Sequence, residues 1–249
     1  RDLRGAGIQP HVIIARTDHP VSSEVVKKIA LFCDVDEDAV IALETTDLLY
    51  DVPLVLEDSG LGDYLVEQLK LDAKPSELSA WRKMIRKMRA SKDTIRIAVV
   101  GKYVELHDAY MSVKEAVFHA VSAFDKKLEI VWVHSGSLEK NKHWDKLTNI
   151  DGIIVPGGFG YRGVEGKILA AQYAREKQIP YLGLCLGMQT LCIEFARHVL
   201  DYEDANSSEF DVTSEHAVID LMPDQRDITD MGGTMRLGIY PCKLQPGSI

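Results

Sequence analysis

Cysteine is scarce here. Four are spread over 249 residues (Cys33, Cys185, Cys192 and Cys242), with no C-x-x-C pair. That excludes a disulfide framework and suits a reducing, cytoplasmic compartment. Basic charge is also short, 29 Lys and Arg against 38 Asp and Glu, so a broad nucleic-acid surface is not expected. No stretch is long or apolar enough to span a membrane, and no signal peptide opens the chain. What is present is a 46% hydrophobic content, enough for a sizeable core and too much for a disordered chain.

The chain divides into three stretches. Residues 1–71 alternate strand and helix: His11–Arg16 and Val40–Leu43 read as strands. A helix runs from Pro20 to Cys33 with Ser22 or Ser23 as its cap, and helical stretches cover Thr46–Leu56 and Gly60–Leu69. No Gly-rich phosphate loop appears among them. Residues 72–93 read as an interdomain linker. Lys74-Pro-Ser breaks the pattern, and Trp81, Met84, Ile85 and Met88 then line one side of a basic helix that docks by that face. From Thr94 onward β-α units repeat, with strands at Ile95–Gly101, Glu129–Val133 and Ile150–Val155. Helices lie at Asp108–Phe124 and Gly166–Lys177. Strands joined by crossover helices predict an α/β fold with a doubly wound parallel sheet covered on both faces, ligands binding at the strands' carboxyl ends.

Pro180–Thr190 carries the chemistry. Tyr181–Leu184 suits a buried strand, and Met188, Leu191, Cys192, Phe195, Ala196 and Val199 fall at helical spacing. Between them, Gly183-x-Cys185-x-Gly187 allows a sharp turn that presents a sulfur at a helix N-terminus, where free N–H groups favour a thiolate. A bare G-x-C-x-G describes a buried cysteine equally well. Cys33 and Cys192, on apolar helix faces, read as core residues. One unit upstream, Pro156-Gly-Gly-Phe-Gly160 follows a strand. Consecutive glycines there let a backbone N–H approach a ligand, as an oxyanion hole requires, although an ordinary loop has the same composition.

Together the cysteine turn and the glycine loop resemble class I glutamine amidotransferases. Pro156–Lys167, Gly183–Gln189, Asn206–Phe210 and Gly232–Gly238 are more narrowly similar to the CTP synthase family. The resemblance implies a synthetase-domain end at 1–71 and a glutamine amidotransferase domain at 94–249. It implies Cys185 as nucleophile, with Gly158, Phe159, Leu186, Gly187, Met188, Gln189 and Glu209 around the oxyanion and the glutamine. Lys28 and Thr46 would contact nucleotide, and Arg226, with Arg236, would belong to a lid linked to GTP activation. It further implies ATP and Mg2+ as cofactors, GTP as activator, glutamine and UTP as substrates, and a homotetramer. From the residues alone, Lys28 reads as a solvated side chain, Glu209 as a surface carboxylate in a polar loop, and both arginines could equally face solvent. No metal site is expected within 1–249. The family's His-x-Glu pair has no counterpart, since no histidine follows His216 and no acid follows Asp230. His107, His134 and His198 are the substitutes at hand. The chain opens as if inside a helix, and an internal segment of a longer protein is therefore expected. Two rivals remain: another class I amidotransferase, or a non-catalytic binding or assembly module.

Overall fold

A computed structural model of the chain describes residues 2–90, 93–226, 228, 243 and 247. The chain forms two compact units, residues 1–91 and 92–249. In the first, β1 (Ile13–Thr17) and β2 (Val40–Glu44) pair in parallel, joined through α1 (Ser23–Cys33). Helices α2 (Val52–Asp58), α3 (Leu61–Gln68) and α4 (Ser79–Arg89) follow. Ser22 is the N-cap of α1, but its side chain makes no capping bond. Val25 and Phe32 on that helix are exposed. The basic helix α4 docks on this unit. Its Ile85 is buried, Trp81 Nε1 donates to Tyr50 O at 2.9 Å, and Arg82 pairs with Asp58.

The second unit is built on four parallel strands in the order β4-β3-β5-β6: β3 (Thr94–Gly101), β4 (Lys127–His134), β5 (Gly152–Val155) and β6 (Tyr181–Gly183). The apolar runs Ala98-Val-Val100 and Ile153-Ile-Val155 are buried because helices cover both faces. The covering helices are α5 (Met111–Ala123), α6 (Val164–Lys177) and α7 (Leu186–His198). A short parallel pair, β7 (Asn206–Ser207) with β8 (Ala217–Ile219), follows. The chain leaves β3 for β4 on one side and returns to β5 on the other. The carboxyl ends of β3 and β5 therefore flank a topological switch point, where open sheets of this kind bind ligands.

One expectation is corrected here. The apolar set Met188, Cys192, Phe195 and Val199 keeps helical spacing but faces outward, and Cys192 is exposed. The buried face of α7 is instead Leu186, Gly187, Thr190, Ile193, Glu194 and Ala196. The elbow decides this. Gly187 must lie against β5, and residues three and seven further on then point the same way. Phe124, the C-cap of α5, is likewise 77% exposed.

Glu194 is fully buried and ties α7 to α6. Arg175 donates to it through Nε at 3.1 and 3.2 Å and through Nη2 at 2.8 Å, and His198 Nδ1 lies 3.4 Å from Oε1. Arg175→Met leaves that carboxylate without its main partner and is expected to cost about 3 kcal/mol. The double variant Arg175→Met/Glu194→Leu should regain most of it. Urea unfolding measures both; a single-variant loss below about 1 kcal/mol would show that water reaches Glu194.

Candidate active site

Three carboxyl ends converge. The segment after β3 brings Lys102, that after β5 brings Pro156-Gly157-Gly158, and that after β6 brings Cys185. Since β5 lies between β3 and β6, its glycine loop sits between the other two.

Cys185 is exposed and forms the N-cap of α7 with φ 52° and ψ −111°. That backbone region is sparsely populated, costs on the order of 1–3 kcal/mol, and persists only where the surroundings fix it. They do so here. Leu184 N donates to Val155 O at 2.9 Å, Gly187 N to Leu184 O at 2.9 Å, and Met188 N and Gln189 N to Cys185 O at 3.0 and 3.1 Å. Tyr181 Oη and Thr190 Oγ1 each donate to Gly187 O at 2.9 Å. Burial pushes the Tyr181 hydroxyl well above its ordinary pKa, so it stays a neutral donor.

The glycine loop meets this turn closely. A Cβ on Gly157 would lie 3.3 Å from Cys185 Cβ and 3.9 Å from its sulfur. A Cβ on Gly158 would lie 3.4 Å from Lys167 Nζ and 3.8 Å from Leu186 Cδ2. Among the described residues, neither the Gly158 nor the Leu186 N–H is donated to a backbone carbonyl. Lys167, on α6, is only 1% exposed. Burial first, and then the neighbouring charge of Lys102, push its pKa down to about 8, against the opposite influence of Cys185.

Of the residues singled out in the sequence, Cys185, Gly158, Leu186 and Gly187 are thus brought together. Phe159 is 84% exposed, Met188 is exposed, and Gln189 is half-buried. Glu209 is exposed after β7, its N–H donated to Ser207 Oγ at 3.3 Å. Arg226 is exposed and paired with Asp220 at 2.7 Å. Arg236 and the Gly232–Gly238 stretch lie outside the described residues, as does the side chain of His107. His198 is engaged with Glu194, and half-buried His134 lines a separate cavity with Trp132, His143 and Lys146. In the first unit Lys28 is exposed, while Thr46 lines a cavity of about 750 Å³ and its hydroxyl lies 3.2 Å from Asp51 Oδ2.

Comparisons with known proteins give the family. The profile described as Glutamine amidotransferase class-I matches residues 105–248. The chain belongs to the class-I glutamine amidotransferase family. Residues 1–71 match a second profile, CTP synthase N-terminus. This amidotransferase is 57% identical over 248 residues to a CTP synthase of Thermomicrobium roseum, covering 100% of this chain and 45% of that one. It is 56% identical to one of Chloroflexus aurantiacus, covering 99% and 45%. A Geobacillus kaustophilus CTP synthase is 51% identical, covering 100% and 47%. The chain therefore spans just under half the length of these relatives. Among solved structures, the glutaminase domain of Trypanosoma brucei CTPS with bound acivicin is 44% identical. It matches at a TM-score of 0.50 over 53% of this chain and 52% of that one.

Sequence reasoning did not find two features of this amidotransferase. Lys102 and Lys167 meet at the glycine loop although 65 residues apart, and only the second lies inside a quoted motif. The other is an exposed pair, Asp204 with His216 Nδ1 at 2.6 Å, the imidazole stacked on Tyr202 at 4.2 Å. That bond and two backbone N–H groups hold Asp204 at a pKa of about 2. The pair fastens β8 beside β7. Among the described residues no group of three or more His, Cys, Asp or Glu could hold a metal ion. No helix among them is long and apolar enough to cross a membrane.

Proposed function

We propose that this chain carries the glutaminase half of a CTP synthase together with the end of its synthetase domain. In that reading the thiolate of Cys185 attacks the side-chain amide carbon of glutamine. The carbonyl oxygen becomes an oxyanion facing the Gly158 and Leu186 N–H groups. The C–N bond then breaks, the nitrogen takes a proton and leaves as ammonia, and a glutamyl thioester stays on Cys185 until water releases glutamate. The ammonia would serve ATP-dependent amination of UTP to CTP in the complete protein. Glu209 would bind the substrate's amino group. Thr46 and Lys28 would contact nucleotide in the first unit, and Arg226 would act with GTP, in a homotetramer in the cytoplasm.

The observation that carries this reading is the strained Cys185 backbone, held with its sulfur beside Gly157. Strain of this kind is retained where a function needs it. That a solved relative is a glutaminase domain adds support.

Labelling with a diazo-ketone analogue of glutamine tests it. Cys185 is expected to be modified first and glutamine to protect it. Cys192 is the internal control, because it is also exposed but sits within α7, its sulfur 3.7 Å from Met188 Sδ. Equal labelling of the two, by peptide mapping, would sink the assignment.

A further inference from the structure

Gly157-Gly158 is the least restrained backbone in the site, since a Gly-Gly peptide plane can rotate with little steric resistance. An oxyanion donor on such a plane acts only if something fixes its direction. Two ammonium groups grip the carbonyls on either side of it. Lys167 Nζ donates to Pro156 O at 3.2 Å, and Lys102 Nζ donates to Phe159 O.

The lysines come from different elements and differ in exposure. Lys102 follows β3 and is half-buried; Lys167 stands on α6 and is 1% exposed. An aliphatic side chain would fill the Lys167 slot without desolvating a charge, so a buried lysine there needs a compensating role. Its neighbours suggest one. Nζ lies 3.4 Å from where a Gly158 Cβ would stand, while the Cys185 sulfur lies 3.9 Å from where a Gly157 Cβ would stand. The amine and the sulfur flank the same dipeptide. In each case the glycine's missing side chain makes the room.

We infer that Lys167 and Lys102 are positioning residues that clamp the Pro156–Phe159 loop from both ends, holding the Gly158 N–H toward the substrate on Cys185. The inference rests on the glutaminase reading above. Both ammonium groups hydrogen-bond carbonyls of the loop, so the clamp acts on the oxyanion formed during turnover and little on glutamine binding. A donor displaced by about 1 Å can cost on the order of 10²-fold in rate.

The test uses the full-length protein with Lys167→Met, Lys102→Met and the double variant. Each single variant is expected to lower kcat for glutamine hydrolysis by roughly 10²-fold with KM within about threefold. Ammonia-driven synthesis should stay near the parent rate. Alkylation of Cys185 by iodoacetamide, a displacement that forms no oxyanion, should stay within about threefold. The double variant should lose less than the product of the two single losses, because both act on one loop. If Lys167→Met does not fold, Lys102→Met decides alone, since its half-exposed side chain leaves no core cavity. A kcat within threefold of the parent in Lys102→Met, or a loss carried mainly by KM, overturns the clamp. Cys185→Ala serves as the reference: if it still hydrolyses glutamine, the glutaminase reading itself has failed. If it is inactive while the lysine variants are not, only the clamp has failed.

Discussion

Cys185→Ala is expected to abolish glutamine hydrolysis, by at least about 10⁴-fold, while CTP formation from added ammonium salt persists in the full-length protein. No other described thiol can take over. Cys33 is partly buried at the end of α1, and Cys192 lies in the second turn of α7, where the N–H groups of the helix are already bonded. Cys185→Gly sharpens the test. Glycine occupies φ 52° without the penalty of a Cβ, so this variant should lose the same activity yet gain stability. Relief of about 1 kcal/mol of the strain would raise Tm by roughly 2–4 °C for a unit of this size. Ammonia release and a thermal melt on the same preparations read both effects. An active Cys185→Ala protein would remove the nucleophile from the mechanism. A Cys185→Gly protein less stable than its parent would show that the sulfur is held for packing.

Much of the second unit was legible from one-dimensional pattern. The runs Ile97–Val100 and Ile153–Val155 and the helices between them announce buried parallel strands, and the glycines around Cys185 announce a turn. What was not legible is which face of a helix turns inward. On α7 the apolar residues Met188 and Phe195, and Val199 at its C-cap, are exposed, and the polar Thr190 and Glu194 are fully buried. The orientation is fixed at one point, the contact of Gly187 with Val155, and the polar residues satisfy themselves locally. Thr190 bonds Gly187 O, and Glu194 takes Arg175 from α6. Periodicity carries the spacing of a helix but not its phase when so specific a contact sets it.

The site divides in the same way. Residues contiguous in sequence, Gly183 to Gln189 and Pro156 to Gly160, could be read from local chemistry. Lys102 and Lys167 could not, because their relation to the loop exists only once β3 and β5 are neighbours and α6 covers the sheet. Glu209 and Arg226 were assigned through family likeness. The structure places both on the surface after α7, and their part in binding stands as a proposal to be tested by substitution.

Gly187→Ala is expected to cost about 3 kcal/mol or more and to take the elbow with it. In a solvent-facing helix the same change gains roughly 0.5–1 kcal/mol, because alanine has less conformational freedom to lose. The sign reverses here for a steric reason. A Cβ on Gly187 would stand 1.9 Å from Val155 O and 2.8 Å from Val155 C. Those atoms belong to a fully buried central strand, so no flexible side chain can yield. Gly183 is closed from the other side, its Cβ position falling 2.4 Å from Gly187 C. Either α7 withdraws from β5, breaking the Leu184 N to Val155 O bond that anchors the turn, or β5 shifts within the sheet. Overpacking usually costs about 1–3 kcal/mol, and a clash with backbone on both sides belongs at the upper end. A fall in Tm of roughly 6–12 °C would correspond. The strained Cys185 conformation depends on the same contact, so labelling by the glutamine analogue should disappear even in molecules that remain folded. Gly5→Ala, at an exposed helical position with nothing within 4 Å of its Cβ position, serves as the control: labelling should stay unchanged and Tm should not fall. A Gly187→Ala protein that melts within 2 °C of its parent and still labels at Cys185 would show that α7 need not lie against β5 for the nucleophile to be presented.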